Sequence, residues 1–373
     1  MNQQKIKICF VASNIYFYFH SEKSGYYGGA ELNFYLLARE FARLPSMKIS
    51  CVAGDFGQEQ IEIIDNISIF RGLALKDRHL FRGLISAFYY FWLFRKINAD
   101  IYIQSGAGIL TFETALYCRL FGKKFIYRLS HDRDATGEYV RKNGIFGKLF
   151  KWALYWASII VAQSEFQERS LKQTFNFKSQ IIKNVFSITH LREERERNLI
   201  LWVARALPWK QPEIFLKLAR DFPNEKFLMI MQKQNDDFRD SIRKEKKTIP
   251  NLEIIELVPP DKIGEYFLKA KIFVNTSLEE GFPNTFLQAA NARTPILSFI
   301  VNPDNFLNLY HCGFSAEGNY GKLVLRFREL IENQALRDQL GKNAFLYLQK
   351  NHNILNVVKD WKGAINLCAK SKK

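Results

Sequence analysis

A short loop between an apolar run and a predicted helix carries the side chains most suited to chemistry. It begins with Glu280, turns at a glycine and leads into a helix that carries Gln288. The run before it, residues 271–275, is typical of a short strand, and Asn284 or Thr285 is expected to cap the helix. A helix N-terminus offers unpaired backbone N–H groups and a partial positive charge to an anion. The arrangement suits a ligand with a diphosphate, such as a nucleotide sugar, and the alternative is an ordinary capped turn.

Two basic residues follow a second predicted strand. Residues 199–204 are an apolar run that ends at Arg205, and Lys210 comes five residues later, before a helical pattern. Arginine binds phosphate oxygens with two parallel donors, whereas lysine supplies a compact charge that stabilises a departing diphosphate. The alternative is that both are ordinary solvated bases, because the chain has 54 lysines and arginines.

Two elements of the N-terminal half could reach the same ligand. Gly28 and Gly29 follow the predicted strand 6–12 and open a helical pattern, and glycines allow the backbone to approach a ligand closely. His131 follows the apolar strand 124–129. Ligands of open α/β sheets bind at the carboxyl ends of the strands, which favours a functional His131 over a surface one. Taken alone, a glycine pair is usually a turn and a lone histidine is usually a surface residue.

The loop from Glu280 resembles the signature of the family 4 retaining glycosyltransferases. In that signature a glutamate is followed after seven residues by a second glutamate, usually with Gly-Phe-Pro behind the first. Glu280 matches the first acid, and Gln288 stands where the second acid falls. An amide still donates to or accepts from a ribose hydroxyl, so this departure weakens the match without removing the role.

The resemblance implies a role for each of these residues. Glu280 would contact the donor sugar, Gln288 the ribose, and Arg205 with Lys210 the diphosphate, while His131 would reach the sugar and the reacting centre. The sequence has no evident Asp-x-Asp motif at a strand end that would bind a metal ion. We therefore expect a metal-independent reaction without a cofactor, in which the nucleotide sugar is a substrate. The residues predicted to line the substrate are Gly28, Gly29, Gly281, Phe282, Pro283, Asn284, Thr285 and Gln288.

Length and composition bound the fold. The chain has 373 residues, of which 47% are hydrophobic and 24% charged, so it is globular and longer than a single core usually supports. Apolar strands alternate with amphipathic helices, which predicts parallel sheets covered by helices. We therefore expect an α/β protein with two Rossmann-like domains, which the resemblance identifies as the GT-B fold with the domains facing a cleft. The predicted domains are residues 1–192 for the acceptor, 193–353 for the donor, and a helix at 354–373 that crosses back, with residues 190–198 as the linker.

The cysteines and the N-terminus predict a cytoplasmic protein. The five cysteines have no paired spacing that is typical of a metal or redox site, which fits a reducing compartment. The N-terminus begins polar and enters a strand, so it lacks the layout of a signal peptide.

Net charge predicts an anionic partner. The formal charge is +17, and residues 1–192 contribute +11 of it, from 26 basic and 15 acidic residues. No nucleic-acid motif accompanies this charge, which disfavours nucleic acid as the partner. An aromatic segment, residues 84–94, lies between Arg82 and Arg95 and is too short to span a bilayer. It fits a helix at an anionic membrane surface or a buried helix of the Rossmann domain, and both can hold in part, since one helix can bury one face and present another. A second aromatic and basic run, residues 146–152, adds to the membrane interpretation.

Together these features predict a retaining glycosyltransferase of the hexosyltransferase type. It would move a sugar from a nucleotide sugar to a lipid-linked or glycan acceptor in cell-surface polysaccharide synthesis, with peripheral attachment at the inner face of the cell membrane. Two alternatives remain at this point. A nucleotide-sugar epimerase would share the fold and the donor site, and a noncatalytic membrane-binding protein would explain the charge and the aromatic residues.

Overall fold

The protein divides into two compact units. The computed structural model describes residues 5–21, 23, 25, 27–74, 83–189, 196–232 and 236–370. The first unit comprises Met1–Val185 together with Ile354–Lys373, and the second comprises Phe186–Asn353. The boundary at Val185 precedes the predicted one at residue 192, and residues 190–195 of the predicted linker lie outside the described residues.

The first unit is built on an eight-stranded sheet. Its strand order is β3-β4-β2-β1-β5-β6-β7-β8, and every pair is parallel except β3 with β4. The strands are β1 (Ile6–Val11), β2 (Met47–Ala53), β3 (Ile61–Ile64), β4 (Ile67–Arg71), β5 (Ile101–Ser105), β6 (Lys124–Arg128), β7 (Ile159–Ala162) and β8 (Gln180–Ile181). The helices are α1 (Tyr16–Phe19), α2 (Gly29–Ala42), α3 (Gly83–Ile97), α4 (Ile109–Phe121), α5 (Asp132–Ala135), α6 (Glu138–Lys142), α7 (Gly144–Trp156) and α8 (Glu165–Phe175).

The antiparallel pair β3–β4 was not predicted from the sequence pattern. The two strands are joined by Asp65 and Asn66, both with positive φ, at 50° and 64°. Asp and Asn tolerate the left-handed conformation that a two-residue hairpin turn requires. A short hairpin at the edge of a parallel sheet is common in α/β proteins.

The first sheet is covered on both faces. Alternate residues of β1 point to opposite sides, so that Ile8 and Phe10 join one buried cluster and Cys9 and Val11 join the other. Residues of α2 complete the first cluster, and residues of α3, α4 and α7 complete the second. The five cysteines are all free and buried within the cores of the protein.

The second unit has a six-stranded, wholly parallel sheet. Its order is β11-β10-β9-β12-β13-β14, so β9 lies between β10 and β12. The strands are β9 (Leu199–Arg205), β10 (Lys226–Gln232), β11 (Leu252–Ile255), β12 (Ala270–Asn275), β13 (Ile296–Ser298) and β14 (Gly313–Ser315). The helices are α9 (Pro212–Asp221), α10 (Asp236–Lys246), α11 (Ile263–Lys269), α12 (Asn284–Asn291), α13 (Phe306–Leu309), α14 (Tyr320–Glu332) and α15 (Gln334–Asn351). The predicted α/β class with two parallel-sheet domains is confirmed.

The last helix, α16 (Ile354–Lys370), belongs to the first unit. Its apolar side packs into the same buried cluster as Ile8 and Phe10 through Val357, Trp361 and Ile365. Trp361 is among the largest fully buried side chains of the described part of the chain. Within residues 5–370 as described, no helix combines the length and the apolar character needed to cross a bilayer.

Candidate functional site

An ion pair between Lys210 and Glu280 is the centre of the polar site in the second unit. Lys210 ends a 3-10 turn, Pro208–Lys210, that follows β9, and Glu280 lies in the loop after β12. The Lys210 Nζ donates to Glu280 Oε1, and the two side chains are 10% and 19% exposed. Because β9 and β12 are parallel neighbours, residues that follow their carboxyl ends meet at one edge of the sheet. The sequence predicted both residues, but it did not predict their contact.

A buried threonine connects the elements that carry this ion pair. Thr276, fully buried just after β12, accepts a hydrogen bond from Trp202 Nε1 at 2.8 Å. Its own hydroxyl donates to the backbone oxygen of Lys210 at 2.6 Å. Leu278 N donates to Trp209 O at 2.9 Å, which ties the same loop to the 3-10 turn. The turn with Lys210 is therefore held against β9 and β12 by hydrogen bonds, of which those of Thr276 are fully buried.

The carboxylate of Glu280 has a second donor. Ser277 Oγ donates to Glu280 Oε1 at 2.9 Å, and Ser277 N donates to Asn275 Oδ1 at 3.2 Å. Two donors on one carboxylate oxygen fix the orientation of the group, and a charged acceptor strengthens both bonds. The motif analysis missed Thr276 and Ser277. The signal for them was the polar run 275–277 directly after an apolar strand.

The Gly281-Phe282-Pro283 segment carries Glu280 into α12. All three residues are buried, and the Phe282 ring lies in the core, with ring centroids 5.2 Å from Phe306 and 4.6 Å from His352. The Phe282 side chain was predicted to line the substrate. Its ring instead packs into the core and anchors the loop there.

The predicted helix cap is corrected by the structure. Neither Asn284 nor Thr285 is the N-cap of α12, because Pro283 occupies that position and offers no side-chain hydrogen bond. A proline has the fixed φ and the missing N–H that suit the start of a helix. The helix itself begins at Asn284.

One face of α12 carries the other predicted donor residues. Asn284, Thr285 and Gln288 are each half-buried, whereas Phe286 and Leu287 are buried in the core. Residues three and four apart share one face of a helix, so Gln288 lies on the face of Asn284 and Thr285. The loop with Glu280 leads directly into the start of this helix.

Arg205 lies at the carboxyl end of β9. Its side chain is half-buried and makes no hydrogen bond or ion pair with another residue in the described part of the chain. Gln211, which follows Lys210, has a positive φ of 45° and a buried Oε1 that finds no partner among the described residues. The sheet edge beside the ion pair thus has a partly exposed cationic side chain that could contact a ligand.

In the first unit, His131 is the N-cap of α5. Its Nδ1 accepts a hydrogen bond from Arg133 N at 3.4 Å, and its own backbone N–H donates to Asp134 at 3.4 Å. An accepting Nδ1 places the proton of the neutral ring on Nε2. His131 is half-buried and follows the carboxyl end of β6, as the sequence predicted.

Asp134 organises the loop around His131. Its Oδ2 accepts from Ser130 N at 3.0 Å, from Ser130 Oγ at 3.2 Å and from Tyr127 OH at 3.1 Å. Burial raises the pKa of Asp134, and the hydrogen bonds act in the opposite direction. Burial and the nearby Asp134 carboxylate also raise the pKa of the Tyr127 phenol, which stays protonated.

The glycine pair lies at the start of α2. Gly28 is the N-cap, its carbonyl accepts from Tyr18 OH at 2.9 Å, and a Cβ there would collide with the Glu31 carboxylate. Gly29 begins the helix and accepts from Asn33 Nδ2 at 2.8 Å. Gly28, Gly29 and His131 belong to the first unit, whereas Arg205, Lys210 and Glu280 belong to the second. Among the described residues, no group of three or more His, Cys, Asp and Glu side chains is placed to hold a metal ion.

Solved structures share this fold over nearly the whole chain. Sucrose-phosphate synthase from Thermosynechococcus elongatus has a TM-score of 0.80 at 12% identity, over 97% of this chain and 98% of that one. The Escherichia coli trehalose-6-phosphate protein bound with UDP-2-fluoro glucose has a TM-score of 0.73 at 10% identity, over 98% of this chain and 99% of that one. WaaG, a glycosyltransferase involved in lipopolysaccharide biosynthesis, has a TM-score of 0.70 at 12% identity, over 96% of this chain and 99% of that one. At these identities the similarity establishes the fold alone.

The sequence itself matches a family in the second unit. No curated protein matches the chain. Residues 187–346 match the family described as Glycosyl transferases group 1. That stretch contains Arg205, Lys210, Glu280 and Gln288, together with the hydrogen-bond network around Thr276. The predicted resemblance to a glycosyltransferase family is thereby confirmed over the second unit at the level of group 1, and the chain has the GT-B fold.

Proposed function

We propose that the protein is a retaining glycosyltransferase that moves a hexosyl group from a nucleotide sugar to a hydroxyl of a lipid-linked or glycan acceptor. The observation that carries the proposal is the Lys210–Glu280 ion pair at the carboxyl edge of a parallel sheet. It joins a cation for a diphosphate to a carboxylate for sugar hydroxyls, within a stretch that matches the group 1 glycosyltransferases.

The leaving group needs positive charge in this reaction. As the bond to the sugar breaks, negative charge develops on the nucleoside diphosphate, and Lys210 with Arg205 would stabilise it. Lys210 is held in place by Thr276, so little reorganisation is required when the charge appears. The first turn of α12, whose N-cap is Pro283 without a side-chain cap, would add backbone N–H groups toward the same phosphates.

Glu280 would bind the donor sugar. Its carboxylate is oriented by Lys210 and Ser277, and carboxylate oxygens accept hydrogen bonds from sugar hydroxyls. Gln288, on the half-buried face of α12, would bind the ribose through its amide.

The retaining outcome follows from the family interpretation of this site. The acceptor hydroxyl would attack the sugar on the face from which the diphosphate leaves, and the leaving phosphate would take its proton. Such a reaction depends more on stabilised leaving-group charge than on a protein nucleophile. We propose that it needs neither a metal ion nor a cofactor, because the protein cations supply the charge.

The first unit would bind the acceptor. His131 lies in the ordered loop with Ser130 and Asp134, and its ring would take part in the transfer step. A lipid-linked acceptor would bring the cytoplasmic protein to the inner face of the cell membrane, in cell-surface polysaccharide synthesis.

The test begins with the donor. Thermal-shift screening of nucleotide sugars should identify one that stabilises the fold, and stabilisation by ligand grows with concentration above the Kd. That donor is then incubated with glycan and lipid-linked acceptors, with and without a metal chelator. Transfer with retained anomeric configuration in the presence of chelator is the expected result. Inverted product, or activity abolished by the chelator, contradicts the corresponding part of the proposal.

The two alternatives predict different products. An epimerase converts the nucleotide sugar without any acceptor, so the donor fraction would contain a second nucleotide sugar. A noncatalytic membrane protein would bind no nucleotide sugar, and it has no use for the Lys210–Glu280 pair. Mass spectrometry and proton NMR of the donor fraction separate both cases from transfer.

A further inference from the structure

Three helices cover one face of the first sheet as a continuous layer. The inward sides of α3, α4 and α7 share a buried cluster that includes Tyr117 and Phe150. Phe91 of α3 contacts Tyr117 of α4, with ring centroids 5.6 Å apart. Phe112 of α4 contacts Trp152 of α7 at 6.4 Å. The middle helix is therefore α4, and the outward sides of the three helices form one surface, which we name the aromatic-basic face.

Large apolar side chains point outward from this layer. In α3, Phe88 and Trp92 are 76% and 53% exposed, and in α7, Trp152 and Tyr155 are 55% and 72% exposed. Their spacing of three or four residues puts each pair on one side of its helix. Phe121 of α4 is also exposed. The helix predicted at 84–94 thus has one buried side and one exposed side, since the side of α3 opposite Phe88 and Trp92 lies in the core.

The charges of the aromatic-basic face all have one sign. The basic residues of the three helices are exposed, and the single acidic residue, Glu113, is 2% exposed and accepts a hydrogen bond from Ser86 Oγ at 3.0 Å. Glu113 is thus turned inward between α3 and α4. The exposed cations are Arg95, Lys96, Arg119, Lys148 and Lys151.

The helices on the other face of the same sheet differ in both respects. α2 carries Glu31 and Glu40 beside Arg39, and α16 carries both acidic and basic residues. The large apolar side chains exposed on α16 are Leu355 and Leu367, with no aromatic residue among them. Exposed tryptophans in the described part of the chain occur on the aromatic-basic face alone. The combination is therefore a property of one layer and not of the whole surface.

We propose that the aromatic-basic face docks the protein on an anionic lipid bilayer. Aromatic rings favour the boundary between headgroups and acyl chains, and basic side chains bind anionic headgroups around them. Lys96 Nζ lies 5.4 Å from the Trp92 ring, and Arg95 lies 5.8 Å from the Phe121 ring, so cations and rings alternate on the surface. A protein partner fits less well, because interface cores are depleted in lysine.

This inference deepens the proposed function. It rests on that proposal because membrane docking serves a lipid-linked acceptor. The observations behind it all come from the first unit, whereas Lys210 and Glu280 belong to the second unit. Docking through helices that pack directly on the sheet would hold the whole first unit at the lipid surface, which is where a lipid-linked acceptor is found.

The experiment measures co-sedimentation of the full chain with vesicles. One set contains phosphatidylcholine alone and the other contains phosphatidylcholine with phosphatidylglycerol, over a salt series. We expect binding to the anionic vesicles that weakens as salt rises, because salt screens exposed charges. Equal binding to both lipids, or no binding at low salt, overturns the proposal.

Two variants locate the surface. Phe88→Ser with Trp92→Ser and Trp152→Ser should lower the affinity for anionic vesicles at least tenfold, and the fold should tolerate them because the three side chains are exposed. The control variant combines Leu325→Ser and Leu346→Ser. These two leucines are 63% and 52% exposed on helices of the second unit, so the control should leave vesicle affinity unchanged.

A second variant, Arg95→Gln with Lys96→Gln and Lys148→Gln, keeps the aromatic residues. It should weaken binding by a factor of about five for each cation removed. Equal losses in the control and the test variants overturn the proposal.

Two further measurements separate the other outcomes. Sedimentation velocity of the wild type and the Phe88→Ser triple variant without lipid tests a self-association surface, and a dimer lost only in the variant assigns the face to a second copy. Calorimetry with a panel of nucleoside diphosphates tests the donor site independently. Normal diphosphate binding without vesicle binding rejects the docking surface alone, whereas vesicle binding without diphosphate binding rejects the proposed function.

Discussion

The carboxyl edges of the two sheets both hold an ordered carboxylate, but its partners differ. In the second unit Glu280 is bound by the ammonium of Lys210, and both side chains retain some exposure. In the first unit Asp134 is fully enclosed and is bound by hydroxyl and backbone donors from Tyr127 and Ser130. Arg128, at the end of β6, is 1% exposed and donates to Asn184, and burial lowers its pKa to about 10.

The difference fits the separate roles that we propose for the two edges. A reachable cation at the second edge suits a ligand that gains negative charge during the reaction. The first edge presents the half-buried ring of His131 on a loop held by neutral donors, which suits a hydroxyl-bearing ligand. The following predictions test this comparison, beginning with the largest expected effect and ending with the change that should affect donor affinity least.

Removing the cation at the second edge should have the largest effect. Lys210→Ala and Arg205→Ala should each lower kcat/KM for the donor by a factor of 100 or more, since one lost donor to developing charge costs about 3 kcal/mol. Turnover and calorimetry with the nucleoside diphosphate measure the effect. The matched control is Lys271→Ala, which breaks the Lys271–Glu225 ion pair, 15% and 17% exposed, at the amino end of the same sheet. A loss in the control as large as in Lys210→Ala would mean that ion pairs of this sheet act through stability alone.

Replacing the carboxylate should harm the chemical step more than binding of the diphosphate. Glu280→Ala should reduce turnover at saturating donor further than Gln288→Ala, because in the proposed site Glu280 binds the sugar and Gln288 binds the ribose. Gln288→Glu should be tolerated. Turnover assays on the three variants give the ranking, and the reverse order contradicts the assignment of the two residues.

Thr276→Val should impair the site by removing the buried hydroxyl that holds the Lys210 turn. The substitution keeps the volume but leaves the Trp202 indole N–H and the Lys210 carbonyl without their shared hydroxyl, at a cost of about 1 to 3 kcal/mol of stability. We expect donor KM or kcat to change by about tenfold as well, because the Lys210 turn loses its anchor, and Thr276→Ser should restore both.

A matched threonine separates positioning from stability. Thr294 is also fully buried in the second unit, and its hydroxyl donates to Phe267 O at 2.7 Å and accepts from Arg197. Thr294→Val should therefore lower the melting temperature similarly and leave donor kinetics unchanged. If both valine variants alter the kinetics equally, Thr276 has no positioning role.

The smallest effect on donor affinity is expected at the first edge. His131→Ala should lower turnover by a factor of about 100 while the affinity for the bare diphosphate stays the same, since this is the lower end of what general acid–base groups contribute. Calorimetry beside a turnover assay separates the two quantities, with His20→Ala as a control on another half-buried histidine of the first unit. Lost diphosphate affinity with normal turnover would invert the comparison between the edges.

Local patterns in the sequence predicted much of the fold. The apolar run from Leu199 and the helical pattern after it needed no knowledge of distant residues, because strand and helix periodicities are local. The observed strand extends through Arg205, and α2 begins at Gly29, ahead of the first apolar residue of its pattern. The cap of α12 was predicted wrongly, because a proline at the start of a helix competes with the polar residues that usually cap it.

What the sequence determined by itself is the set of polar residues that follow apolar strands: His131, Arg205 and Glu280. Only the tertiary structure decided that Lys210 meets Glu280, 70 residues away, because that contact depends on β12 lying beside β9 in the sheet. The structure alone also decided which side of α3 is exposed. An all-round apolar helix has no polar stripe to mark its outer side, so the packing of α4 and the sheet against it sets the orientation of Trp92.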